Sequence, residues 1–203
     1  MNVSESGSMK MARKAAFDTE EVVVAAREVF WELGFEAASI PNLEKATGLS
    51  RSSLYNVFGH KRGLFDAAVQ SYLNEVVRPR LAALQDSEID PQALHNYLTM
   101  LQGAFARPLP SPVARGCLLI NTATAPLAKD AEVARVISDY RKELAEAFTR
   151  GLKAHAPHLS EQELNTLSRA LTALVISAYA IVRVAQQEAV DMISTAIDLV
   201  DNA

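Results

Sequence analysis

The chain has 203 residues, 49% of them hydrophobic, which is enough for one or two domains with a real core. Its formal net charge of −4 excludes a globally basic coat for nucleic acid, but not a site-specific reader that needs only a local basic patch. A single cysteine, Cys117, excludes an intramolecular disulfide framework and fits a reducing cytoplasm.

Gly and Pro are few, Ala, Leu, Val, Glu and Arg are frequent, and strand-like alternation is scarce. The fold class expected is therefore all-α. The first twenty residues lack the apolar run of a signal peptide. The most apolar stretch, residues 170–185, is short and holds Thr172 and Arg183, so it reads as a buried helix rather than a membrane span.

Residues 1–16 are small and polar, then basic at Lys10, Arg13 and Lys14. They read as an arm, either a solvated tail or one whose cations reach DNA. Helix 1 starts at Asp18, with Glu21 placed for a capping box and Phe17 placed to staple Val22. Its inward stripe is Val22, Ala26, Val29, Phe30 and Leu33, with Trp31 beside it as packing, and Gly34 closes it.

Residues 39–61 carry the densest signal. Leu43, Ala46 and Leu49 define one face of a short helix, with Ser39 and Pro41 at its start. Gly48 stands where a left-handed residue ends a helix, and Ser50 can cap the next. Leu54 and Phe58, four apart, form the buried face of that second helix. Arg51, Ser52, Tyr55 and Asn56 are left to face outward. A cation, a hydroxyl, a phenol and an amide suit phosphate oxygens and base edges. Helix, glycine turn and helix is the helix-turn-helix plan, whose second helix enters the major groove. The same spacing fits an ordinary αα-corner with a polar outer face, and both readings stand at this point.

Lys61 and Arg62 open a long helix 4 with Leu64, Phe65, Ala68, Tyr72, Leu73, Val76 and Val77 inward, and Pro79 set to kink or end it. A polar break at 86–91 precedes helix 5, with Leu94, Leu98, Leu101 and Phe105 inward. Three prolines in RPLPSPVARG make a loop, a mouth or a lid. Helix 6 is the apolar GCLLINTATA, stopped near Pro126. Helix 7 spans 130–155, with Val133, Val136, Ile137, Tyr140, Leu144, Ala147, Phe148 and Leu152 inward. Ser160 and Glu163 form a capping box for helix 8, which is apolar almost all round. Helix 9 spans 187–200, with Ala189, Met192, Ile193, Ala196, Ile197 and Val200 on one side. The last two helices serve either as the centre of the monomer or as half of a two-fold four-helix interface, and a groove reader that works as a dimer favours the interface.

Met100, Phe105, Cys117, Asn121, Tyr140, Phe148, Tyr179 and Arg183 are the candidate ligand-binding residues of helices 5 to 8, with core packing the competing role for each aromatic. Arg183, a cation in an apolar helix, would pair with an acidic ligand or with a carboxylate across a dimer. Cys117 is a sensor thiol at a helix start or a buried inert one. His60, His95, His155 and His158 show no metal spacing on one helix face, and no nucleophile–base set or phosphate loop is visible. No enzymatic activity, metal or cofactor is expected. The alternatives to a DNA reader are a helical dimeric interaction protein and a small-molecule-binding protein that touches no DNA.

Gly34-Phe35, Ser39-Ile40, Ala46-Thr47-Gly48-Leu49-Ser50 and the run from Ser53 through Leu64, SLYNVFGHKRGL, resemble the TetR family of one-component transcriptional regulators. The likeness covers about residues 17–65, and the segment Gly116-Cys117-Leu118-Leu119-Ile120-Asn121 is similar to a stretch in one branch of that family. The resemblance implies a nine-helix dimeric repressor, with a helix-turn-helix at about 39–58 that binds a palindromic double-stranded operator. It further implies a domain of residues 17–65 that binds DNA, and a domain of residues 66–203 that binds an unknown small-molecule effector and dimerises through the last two helices. Carried over, Ser39, Pro41, Arg51, Ser52, Ser53, Tyr55, Asn56 and Lys61 are the DNA-contacting positions. Glu44 replaces a usual Ala, Pro41 a usual polar residue, and Asn56-Val57 the usual His pair or close relatives.

Overall fold

The computed structural model describes residues 18–107 and 115–203. The expected arm at 1–16, the Phe17 staple and most of the proline loop lie outside them. The described residues are helical with no strand, in the order α1 (Thr19–Ala37), α2 (Ile40–Thr47), α3 (Arg51–Phe58), α4 (Lys61–Tyr72), a π-turn (Leu73–Val77), α5 (Arg78–Leu81), α6 (Ala93–Phe105), α7 (Leu118–Ala123), α8 (Ala131–His155), α9 (Glu161–Ile181) and α10 (Gln186–Asp201). With α4, the π-turn and α5 taken as one rod, nine rods are described.

That rod shows how Pro79 is accommodated. Proline removes an N–H and crowds the carbonyl four residues back, here that of Glu75. A π-turn over Leu73–Val77 widens the helix at that point, so the rod continues past Pro79 instead of ending.

α1 packs on α4 and α2, and α3 closes the triangle against α4. Phe30, Phe35 and Phe65 form its aromatic centre, with Phe30–Phe65 and Phe35–Phe65 edge-to-face at 5.2 Å. The buried stripe of α1 is Val22, Ala26, Arg27, Phe30 and Trp31, rotated from the expected one. Leu33 is 43% exposed, because α1 presents its Trp31 side to α7 as well as packing on α4. Asp18 caps α1 through the Glu20 N–H at 2.8 Å, and the expected Glu21 capping box does not form. Gly34 breaks the helical geometry of α1 before its last turn. Ala46 is exposed rather than inward, and Phe58 is only half-buried.

The larger part is built from α6, α8, α9 and α10, with the short α7 inserted between α1, α8 and α9. The expected inward residues of α6 are buried, and those of α8 and α10 are buried or half-buried against the same core. The Ser160–Glu163 capping box forms as expected. α9 is long and apolar enough to cross a membrane by length and composition alone, with a mean hydropathy of 1.3. In the fold it packs against α8 and α10, and only part of it is covered.

Candidate nucleic-acid interface

Local chemistry fixes the three short helices before packing does. Ser39 caps α2 in a capping box with Asn42: the Asn42 N–H donates to Ser39 Oγ at 3.3 Å, and the Ser39 N–H to Asn42 Oδ1 at 3.0 Å. Pro41 sits in the first turn, where no N–H is needed. Gly48 ends α2 in the left-handed region at φ 70°. Ser50 caps α3 through the Ser53 N–H at 3.3 Å. His60 caps α4 by accepting the Gly63 N–H at Nδ1, 3.1 Å away. Gly63 is obligatory for steric reasons, since a Cβ there would lie 2.1 Å from the Phe58 carbonyl oxygen.

These caps aim the side chains of α3. Leu54 is buried and Tyr55 half-buried against the core, so the opposite face is turned out. Ser39, Pro41, Arg51, Ser52 and Asn56 are exposed, and Ser53, Tyr55 and Lys61 are half-buried. The Arg51 guanidinium lies 5.2 Å from the centre of the Tyr55 ring. All eight positions expected to contact DNA lie between the cap of α2 and the start of α4, and five are exposed.

The details refine the expectation in three places. Lys61 folds over the Phe35 ring at 4.6 Å and donates to the Glu36 carbonyl at 3.4 Å, and burial lowers its ammonium's pKa from the ordinary value. Arg62, the cation beside it, is engaged within the chain. It pairs with Asp66 at 2.7 Å, Asp130 at 3.1 Å and Glu132 at 3.5 Å, tying the start of α4 to the start of α8. The Arg62 hydrogen bond, with two backbone N–H groups behind it, holds the Asp130 carboxyl down at about 2. Glu44, the acidic departure in α2, accepts the Arg51 N–H at 2.6 Å and so braces α2 against the first turn of α3.

The expected ligand residues do not form one group. Met100 is 45% exposed, and Arg183 is exposed, donating to the Glu32 carbonyl at 2.9 Å in its own chain. Both are corrected. The outward side of α6 carries Met100, and Arg183 follows the last turn of α9, where it meets the end of α1. Phe105 is buried edge-to-face on Tyr179 at 5.2 Å, and Phe148 packs on Tyr97 at 5.5 Å, so both are core. Asn121 donates to the Arg115 carbonyl at 2.8 Å, as a brace for the loop before α7.

Tyr140 and Tyr179 do face a shared, nearly closed gap, together with Tyr72, Tyr97, Val77 and Arg80. Cys117 is fully buried behind it, its Sγ 3.7 Å from the Tyr140 hydroxyl. Tyr72, Tyr97 and Arg80 were missed in the sequence. In a regular helix Arg80 lies roughly 80° round from Tyr72, but a turn that absorbs one extra residue brings it within about 20°. The run Tyr72 to Pro79 carried that signal, because an uninterrupted apolar pattern across a proline demands a bulge.

A capped three-helix head with a polar, outward second helix is the reading head of a helix-turn-helix DNA-binding protein. A family model described as "Bacterial regulatory proteins, tetR family" matches residues 22–68. The uncharacterized HTH-type transcriptional regulator YezE of Bacillus subtilis is 36% identical over 146 residues, 70% of this chain and 72% of its own. The repressor ComR of Escherichia coli is 31% identical over 113 residues, 55% of this chain and 52% of its own. In fold, the chain is similar to the TetR-family regulator CifR bound to a 26-base-pair operator, with TM-score 0.76 and 24% identity across 92% of this chain and 98% of that one. The chain belongs to the tetR family of bacterial regulatory proteins. It is a DNA-binding transcriptional regulator and not an enzyme.

Proposed function

We propose that this protein is a cytoplasmic, ligand-responsive repressor that binds a palindromic operator as a homodimer. Residues 17–65 form the reading head and residues 66–203 the effector and dimerisation part. The observation that carries the reading is the outward row of α3: Arg51, Ser52 and Asn56 are exposed while Leu54 holds the helix to the core. An interaction protein or small-molecule carrier without DNA has no use for such a row. Arg51, Ser52, Ser53 and Asn56 contact bases and phosphates, and Ser39, Pro41, Tyr55 and Lys61 set the head on the backbone. Relatives named as repressors, ComR among them, support the sign of regulation.

The dimer rests on α9 and α10. Ala173, Ser177 and Ala180 are exposed along α9, Leu174 and Ile181 are half-covered, and Val184 beyond it is 87% exposed. A small-residue apolar face of this kind lets a second copy approach closely and complete a four-helix contact. Two heads must then meet successive major grooves about 34–36 Å apart. An effector shifts affinity by favouring one head spacing over the other.

A gel-shift titration against duplex from the gene's own upstream region tests the reading, with sedimentation of the complex. The expected result is two chains per duplex and an affinity that falls with salt. Tyr55→Phe and Lys61→Ala weaken it without unfolding the protein. Equal affinity for unrelated duplex, or a single chain per site, contradicts the proposal.

A further inference from the structure

The gap behind α4 and α5 has an unusual balance of charge. Arg80 borders it together with Tyr97 and Tyr179. Tyr72 and Tyr140 complete the lining, with the Cys117 thiol 3.7 Å from the Tyr140 hydroxyl. No carboxylate of the described residues ion-pairs with Arg80. By contrast Arg27, Arg62, Arg78 and Arg183 each reach a carboxylate, on Glu75, Asp130, Glu143 and Glu32 respectively. A half-buried guanidinium among neutral phenol donors, with no anion of its own, is a site built for an anion from outside. The apolar walls, Val77, Leu81 and Leu144, suit a flat organic body rather than a hydrated ion.

The gap is also nearly shut, with room for about one water molecule between its walls. Any organic ligand must therefore move a wall to enter. The wall least able to resist is the π-turn, which carries Val77 at the gap and follows directly on Tyr72. The same turn carries Glu75 on its other side. Glu75 accepts from Arg27 of α1 at 2.8 Å, and Ser71 lies within reach of both. The π-turn is thus gripped by the reading head on one face and exposed to the gap on the other.

We propose that this gap is the effector site, that it takes a small one-ring organic acid whose carboxylate is held by Arg80 and the tyrosine hydroxyls, and that entry of the acid displaces the π-turn and, through Glu75 and Arg27, the head. This rests on the ligand-responsive reading above. Because the closed gap excludes the acid, the acid binds the displaced state better, and that difference drives the switch.

The test uses the full chain with benzoate, phenylacetate and salicylate as probes, and benzamide as the uncharged match. Calorimetry and thermal shift read binding without DNA. At least one acid binds, benzamide binds about tenfold or more weakly, and Arg80→Met loses the acid by a similar factor while its melting without ligand stays close to wild type. Glu75→Gln still binds the acid, but the acid no longer changes its affinity for upstream duplex. Binding of none of the three acids overturns the site, as does equal binding of benzamide or undiminished binding by Arg80→Met in a folded protein. Should acids bind yet leave operator affinity unmoved in the wild type, the site stands and the switching half of the proposed function falls. Should DNA binding persist with no acid bound, the reverse holds.

Discussion

The reading head and the body hold their helices by different means. In the head, α2 and α3 have eight residues each, too few to be stable alone, and each is closed at its start by a serine side chain. α4 is started by His60 in the same way. In the body only α8 and α9 are capped by side chains, Asp130 and Ser160, while α6, α7 and α10 have none, and packing sets the positions of these three. The difference follows from what each part must present. A head that lays polar side chains along a groove needs its backbone fixed from within, because its outer face contributes nothing to the core. A body whose surface does not have to match a duplex can rely more on packing.

The comparison can be broken in several ways, the most drastic being alkali. Burial pushes the hydroxyls of Tyr72, Tyr97 and Tyr140 well above the ordinary phenol range, and that of Tyr179 up to about 12. A raised folded value means their neutral forms support the fold fully below the unfolded value near 10, and that support is lost as pH rises toward 12. The body should therefore lose structure in alkali in step with phenolate absorbance. Normal titration of all the tyrosines in a folded protein would contradict the enclosed ring.

Next in size is Phe148→Ala. It empties a fully buried site beneath Tyr97 and should cost about 3–5 kcal/mol by urea unfolding. A negligible cost would restore Phe148 to the ligand-binding group. Gly63→Ala should cost about 1–3 kcal/mol by forcing Phe58 away from the start of α4, and should impair operator binding more than it lowers the melting of the body. The smallest effect is at the link between the two parts. Asp130 sits low at about 2, so its contact with Arg62 is complete above its ordinary value near 4 and lost as pH falls through 2. Loosening of the α4–α8 contact in that window, read by amide exchange at residues 62–66 and 130–133, checks it, and exchange indifferent to pH there would remove the link.

The same contrast explains what the sequence made visible. Ser39, Gly48, Ser50 and Leu54 act on neighbours within four residues, so the head's turns could be read in order along the chain. The body's register could be read as well, because long amphipathic stripes such as Val133 to Leu152 repeat with the helix period. The tyrosine-lined gap could not. Arg80 joins Tyr72 only through the π-turn, and both join Tyr97 and Tyr179 only when three distant helices assemble. Leu33 misled for the mirror reason: a residue on an apolar stripe is inward only if another element arrives to cover it. The partners of Arg62 at the start of α8 were hidden as well, because they lie 68 and 70 residues further along.

The most direct measurement is the affinity of wild type and Asn56→Ala for upstream duplex, alongside their unfolding curves. Asn56 is exposed on α3 and is not part of the core. The account predicts unfolding curves that agree within about 0.5 kcal/mol and an operator affinity reduced by about 1–3 kcal/mol, with discrimination between duplexes relaxed. Unchanged affinity and unchanged discrimination in the folded variant would mean that α3 does not read the duplex.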